Sequence, residues 1–193
     1  MNPTRRQILE ATVLTVAKTG YEDATVEMVV KRAGISLEAF REEFSDLDDC
    51  LLAAYDWLVD ALVARVDAAF RPEPERTWPE RVQYGLQALL EAMAQYPDAA
   101  KVAALRVPVA GPASHSRYLR AAERFLPFLE DGRACADPRL ELPANVNLMA
   151  LGGAEAIIFD EIAAGRTEEL PKLLPAVLFA LLVPYLGPEE AAT

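Results

Sequence analysis

A chain of 193 residues, 52% apolar and 25% charged, can bury a real core and falls in neither the disordered nor the disulfide-scaffold class. Its net charge of −11 excludes a protein that coats nucleic acid non-specifically, but leaves room for a specific binder whose positive charges are few and local. No apolar run approaches the roughly 18–20 residues that cross a bilayer. The start, Met1 to Arg6, leads into a periodic helix rather than a secretory segment, so a cytoplasmic protein with no membrane association is expected.

The apolar spacing is helical throughout, with no sustained period-2 alternation. Residues 4–19 put Ile8, Leu9, Val13, Val16 and Ala17 on one face, and Gly20 stands where a helix terminates cheaply. Thr25 is a good N-cap for a short helix carrying Val26, Val29, Val30 and Ala33, which Gly34 ends. Ser36 caps the next helix, to about Phe44. Asp46 opens a long one bearing Leu51, Leu52, Tyr55, Leu58, Leu62 and Val66, stopped by Pro72 and Pro74. Further helices are expected over 77–95, 98–108, 112–131, 144–165 and 169–186, with Pro97, Pro108, Pro112, Pro138, Pro143 and Pro171 near their ends. Pro127 and Pro175 fall inside apolar runs and should kink or restart a helix. The stretch Asp131–Pro143, with Gly132, Asp137 and Pro138, reads as a flexible loop. The fold class is therefore all-α, about nine helices: a head over 1–50 and a helical-bundle body over 51–193.

Residues 25–44 have the spacing of a helix-turn-helix: short helix, glycine-centred turn, second capped helix. Gly34 can take the positive φ of the turn, while Ile35 and Phe40 pin the second helix so that its outer face can lie in a major groove. The segment Arg6-Gln7-Ile8-Leu9-Glu10-Ala11, then Gly20-Tyr21, Thr25, Ala33-Gly34-Ile35-Ser36, Phe40, Phe44 and Asp49-Cys50-Leu51-Leu52 closely resembles the N-terminal domain of the TetR/AcrR family of transcription regulators. The resemblance is strong over residues 5–60. It extends loosely to the body, where WPERVQYGLQALLEAM, AGRTEELPKLLPAV and PYLGPEE look like a branch common in actinobacteria. It implies a three-helix DNA-binding head and a homodimer formed through the last two long helices. It further implies a small hydrophobic effector in the body whose binding re-spaces the heads and releases a palindromic double-stranded operator, repression being the expected sense. The DNA-contacting residues it points to are Thr25, Lys31, Arg32, Ser36, Leu37, Glu38 and Arg41.

The departures from the family pattern fall on the DNA face. Arg41 stands where a phosphate-contacting tyrosine is usual, Glu43 where a histidine is common, Leu47 where a lysine contacts phosphate, and Val30 where alanine lets the helices approach. Glu38 and Glu42 leave Arg41 as the only cation of the recognition helix. Residues 1–50 hold six Lys/Arg against ten Asp/Glu, a net of −4. Two readings stay open. One is a sequence-specific regulator relying on Arg5, Arg6, Lys31, Arg32 and Arg41, with glutamate accepting from cytosine N4. The other is a degenerate acidic head serving as a ligand- or protein-binding module without strong DNA binding.

In the body, Tyr84, Met93, Tyr118, Phe125 and Phe128, among other apolar side chains of 77–95 and 112–131, are candidate lining for an apolar or aromatic ligand. Arg106, His115, Arg117 and Glu123 are candidate polar anchors. Leu148, Leu151, Gly152 and Phe159, with Leu174, Leu178 and Leu181, are candidates for an isologous four-helix dimer interface. Catalysis is not expected, because the chain has no GxSxG, Walker or GxGxxG motif and no paired-histidine helix. Nor is a metal or cofactor: His115 is the only histidine, and Cys50 and Cys135 are far apart.

Overall fold

The structure is a computed structural model that describes residues 2–71, 76–136, 138 and 140–192. All nine expected helical segments are present, and no strand occurs among the described residues. Pro72, Pro74 and Asp137 lie outside the described residues. The chain divides into two compact units, residues 1–60 with 96–119, and residues 61–95 with 120–193. The stretch 96–119 thus groups with the head rather than with the remainder of the body.

In the first unit, α1 (Pro3–Thr19) buries Ile8, Leu9, Val13, Val16 and Ala17, the stripe its spacing predicts. Against it pack α2 (Val26–Ala33) and α3 (Leu37–Glu43). The long helix α4 (Leu47–Phe70) contributes its residues to 60 here, with Cys50 and Leu51 fully buried. Thr12 satisfies its own hydroxyl on the Ile8 carbonyl at 2.8 Å and lies 3.0 Å from Cys50 Sγ. Burial pushes the Cys50 thiol up to about 11, which makes it an inert core side chain; Cys135 is exposed. Tyr21 donates from its hydroxyl to Asp48, tying the α1–α2 turn to the first turn of α4.

The segment expected as one helix over 98–108 is instead a composite. It runs as α6 (Pro97–Lys101), a π-helical turn over Val102–Arg106 and a 3-10 turn over Val107–Val109. It packs on α1, burying Val102 and Val107. Pro108, which has no N–H to donate, sits in the final tight turn. Next, α7 (Pro112–Glu123) ends earlier than predicted, and a 3-10 turn over Leu126–Leu129 follows, restarted at Pro127.

The second unit is built on α5 (Trp78–Gln95), α9 (Val146–Ala163) and α10 (Leu174–Ala191), with a 3-10 segment over Thr167–Leu173 leading into α10 at Pro175. At the start of α5 the Glu80 carboxylate accepts from both the backbone N–H and the hydroxyl of Thr77. The core holds Trp78, Val82, Leu90, Ile158, Ile162, Leu170, Val177, Leu182 and Tyr185. The segment read as a flexible loop contains a single helical turn, α8 (Gly132–Cys135), and Arg133 donates to the carbonyls of Pro143 and Ala144. The turn forms where an aromatic corner demands it. Trp78 and Tyr185 meet edge to face at 5.2 Å, Trp78 Nε1 donates to the Phe128 carbonyl, and Tyr185 donates to Asn147 Oδ1 at 2.7 Å.

The stretch Thr167–Ala191 is more apolar than the sequence reading allowed: by length and mean hydropathy it could cross a membrane, and 28% of its most apolar window is buried. It is not one straight α-helix. Pro171 sits in the 3-10 segment, and Gly187, at φ 78°, kinks the chain between Pro184 and Pro188.

A methyl group on Gly132 would lie 2.7 Å from Trp78 Cη2 and 2.9 Å from Tyr185 Cδ1. Gly132→Ala is therefore expected to cost on the order of 1–3 kcal/mol, measured as a lower denaturant midpoint with Trp78 fluorescence as the probe. An unchanged midpoint would show that the corner is not tightly packed.

Candidate nucleic-acid interface

The turn between α2 and α3 is the element that aims the site. Gly34 adopts φ 69° and ψ 34° with open space around it, so the backbone conformation alone calls for glycine. Ile35 N–H closes the turn on the Val30 carbonyl. Thr25 and Ser36 are the N-caps, their hydroxyl oxygens accepting from Met28 and Ala39 N–H at 3.3 and 3.2 Å. Phe40 is fully buried against Phe44, with ring centroids 5.8 Å apart, so the opposite side of α3 must face outward. That side presents Glu38, Arg41 and Glu42, one stripe at i, i+3 and i+4, with Leu37 half-buried at its flank.

The cations nominated for phosphate contact are less available than the sequence suggests. Arg6 pairs with Glu10 at 2.7 Å. Arg32 Nε donates to Thr15 Oγ1 on α1. Arg5 pairs with Glu43. Among the described residues, only Lys31 and Arg41 of the five make no hydrogen bond or ion pair. Leu47, half-buried at the start of α4, adds none.

Carboxylates hold the remainder of the surface. Glu27 and Glu38 stand in the first turns of α2 and α3, each held below the usual carboxylate range. The main cause is a hydrogen bond from the residue's own backbone N–H, followed by the Thr25 or Ser36 hydroxyl, with nearby Arg41 assisting. The two N-cap hydroxyls are already engaged by backbone N–H groups, and a carboxylate stands beside each of them. Among the described residues, Lys31 and Arg41 are the cations of α2 and α3 without a hydrogen bond or ion pair, and Glu38, Arg41 and Glu42 lie outward; carboxylates of this kind can accept from cytosine N4 and a guanidinium can donate to guanine O6 and N7.

The other candidates divide. Tyr84 is exposed and carries the Arg76 guanidinium 4.1 Å above its ring, so it lines no interior. Tyr118 belongs to the first unit, beside His115; Met93, Phe125 and Phe128 belong to the second. Phe128 packs edge to face on Phe70 at 5.0 Å and lies 6.3 Å from Phe125, while Met93 is half-buried. Of the polar anchors, Arg117 pairs with Asp56 and Glu123 is exposed. Arg106 keeps a buried Nε without a partner. Leu148 and Gly152 lie exposed on α9, and Leu151, Phe159, Leu174 and Leu178 are half-buried. Leu181 points into the core of its own unit, a correction that follows from its place one turn from buried Val177 and Tyr185. Glu161, in an otherwise apolar helix, is held by a bidentate pair with Arg166.

What periodicity could not show is how α3 is held at its C-terminal end, where Asn2, Arg5, Glu43 and Phe44 meet. One sequence signal was available: Glu43 lies in the last turn of a helix, where a negative charge is disfavoured, with no cation three or four positions away.

No protein-family model matches the chain, and no curated protein matches it. Solved structures do. FadR, the fatty acid degradation regulator of Bacillus halodurans, superposes with a TM-score of 0.83 at 18% identity, covering 94% of this chain and 96% of that one. FadR of Bacillus subtilis, solved in complex with stearoyl-CoA, gives 0.80 at 17% identity, covering 93% and 98%. SmeT, the repressor of a Stenotrophomonas maltophilia multidrug efflux pump, gives 0.73 at 15% identity, covering 94% and 89%. At such identities the likeness is one of fold, and the fold is that of TetR-type regulators.

Ser36→Ala removes the cap of α3 and should cost about 1 kcal/mol of stability. Urea unfolding checks this, and a change within a few tenths would mean that the cap contributes little.

Proposed function

We propose that the chain is a homodimeric, DNA-binding transcription regulator, a repressor in sense, released from its operator by a small apolar effector. The observation that carries the reading is the capped helix-turn-helix whose second helix buries Phe40 and turns Glu38, Arg41 and Glu42 outward. The shared fold supports it, since the solved structures of this architecture are described as regulators.

An exposed apolar face supports the dimer. On α9, Leu148 and Met149 are 55% and 59% exposed, and Gly152, Gly153 and Ala156 continue the face with nothing within 4 Å of a Cβ on either glycine. On α10, Phe179 is also exposed. An apolar stripe interrupted by small residues is suited to close approach of a second helix. An apolar effector accords with the half-buried Met93 of α5 and with Phe125 and Phe128 around the 3-10 turn after α7, and with the stearoyl-CoA bound by Bacillus subtilis FadR.

Arg41→Ala is expected to weaken binding to the protein's own upstream intergenic DNA by tenfold or more, on the order of 1–3 kcal/mol, measured by fluorescence anisotropy against competitor DNA. Equal affinity of variant and wild type would remove Arg41 from the interface. If neither binds at low salt, the acidic head is a partner-binding module instead.

Leu148→Arg, at an exposed position, should leave helicity unchanged by circular dichroism and convert the dimer to monomer on size-exclusion chromatography with light scattering. A dimer that persists in the variant would place the interface elsewhere.

A further inference from the structure

We infer that Arg5 is a positioning residue for the recognition helix rather than a phosphate contact, and that Glu43 is its partner in the same clamp; the inference rests on the DNA-binding reading of α3. A helix of seven residues ending in Arg41-Glu42-Glu43 is poorly made by its own sequence. It is too short to persist alone, and two carboxylates crowd the negative end of its dipole. The missing positive charge comes from α1, 38 positions earlier. Arg5 Nη1 donates to the Glu43 carbonyl at 3.0 Å, one of the terminal carbonyls of α3, and to Glu43 Oε2 at 3.2 Å. The guanidinium also lies 4.2 Å from the centroid of the buried Phe44 ring, and Asn2, which caps α1 through Oδ1, donates from Nδ2 to Glu43 Oε1. Asn2, Arg5, Glu43 and Phe44 therefore fix the end of α3 to the first turn of α1.

The Nη1 of this guanidinium is committed to a carboxylate and a carbonyl, and its face to the Phe44 ring, which fixes its orientation toward α3. Glu43 then has a sign opposite to the one its charge suggests. As a free carboxylate near a polyanion it would oppose DNA; as the clamp partner it favours the geometry that binds it.

The test uses full-length protein. Amide hydrogen exchange in the absence of DNA should show the Arg41–Phe44 amides of Arg5→Ala exchanging roughly tenfold faster than in wild type, with Arg5→Lys recovering part of the protection. On DNA, Arg5→Ala should bind roughly tenfold more weakly while the slope of log affinity against log salt stays at the wild-type value, because no phosphate contact is lost. Glu43→Gln should bind no tighter than wild type. Unchanged exchange in Arg5→Ala overturns the clamp. So does a salt slope reduced by about 0.9, the signature of a lost phosphate contact, or tighter binding by Glu43→Gln. If wild type itself binds no DNA, the function proposed above fails, and the exchange measurement still decides the clamp.

Discussion

The head depends on one constraint: α2 and α3 are eight and seven residues long and cannot hold their shape without α1. The buried stripe of α1 supplies the surface they fold against, with Ile8, Leu9 and Val16 almost wholly enclosed alongside Val29, Phe40 and Phe44. Its first turn supplies charge as well. By anchoring Glu43, the N-terminus of α1 governs the angle at which the outward stripe of α3 is presented. On the function proposed above, recognition is a property of three helices, although only α3 turns its charged stripe outward.

Electrostatics then sets the kind of interface this can be. A regulator rich in exposed Lys and Arg obtains affinity from counterion release and adds specificity through bases. Here three of the six basic side chains of the head, Arg5, Arg6 and Arg32, are already engaged, Glu27 and Glu38 stand in the first turns of α2 and α3, and among the described residues Lys31 and Arg41 are the cations of α2 and α3 left without partners. Such a surface gains little from a phosphate backbone as such. On the proposed function its discrimination would come from base edges and its non-specific affinity would be low, which suits a protein of strong net negative charge.

Much of this was legible in the sequence because the signals are local. Helix spans followed from apolar spacing. The caps Thr25 and Ser36, the turn at Gly34 and the inward side of Phe40 followed from residue types whose conformational reasons are private to them. The failures are all non-local. The π and 3-10 turns over 102–109 answer to packing on α1, which no single-segment periodicity encodes. Leu181 sits in the nearly uniform apolar helix α10, whose pattern does not say which side meets a neighbour, and it went inward; Tyr84, on the amphipathic α5, went outward. Arg5 and Glu43 looked like a DNA-binding cation and a hostile anion until their 38-residue separation closed to 3.2 Å.

The central claim is that a sparsely cationic head still binds DNA specifically. Its most direct measurement is the affinity of the wild-type protein for its upstream intergenic DNA across a salt series. With Lys31 and Arg41 the unpaired cations of α2 and α3 in each head, a dimer should show competitor-resistant binding and a shallow dependence of log affinity on log salt, a slope between about −2 and −5. Absence of binding at the lowest salt, with and without an apolar effector present, would contradict the account and leave the acidic head a surface for another partner.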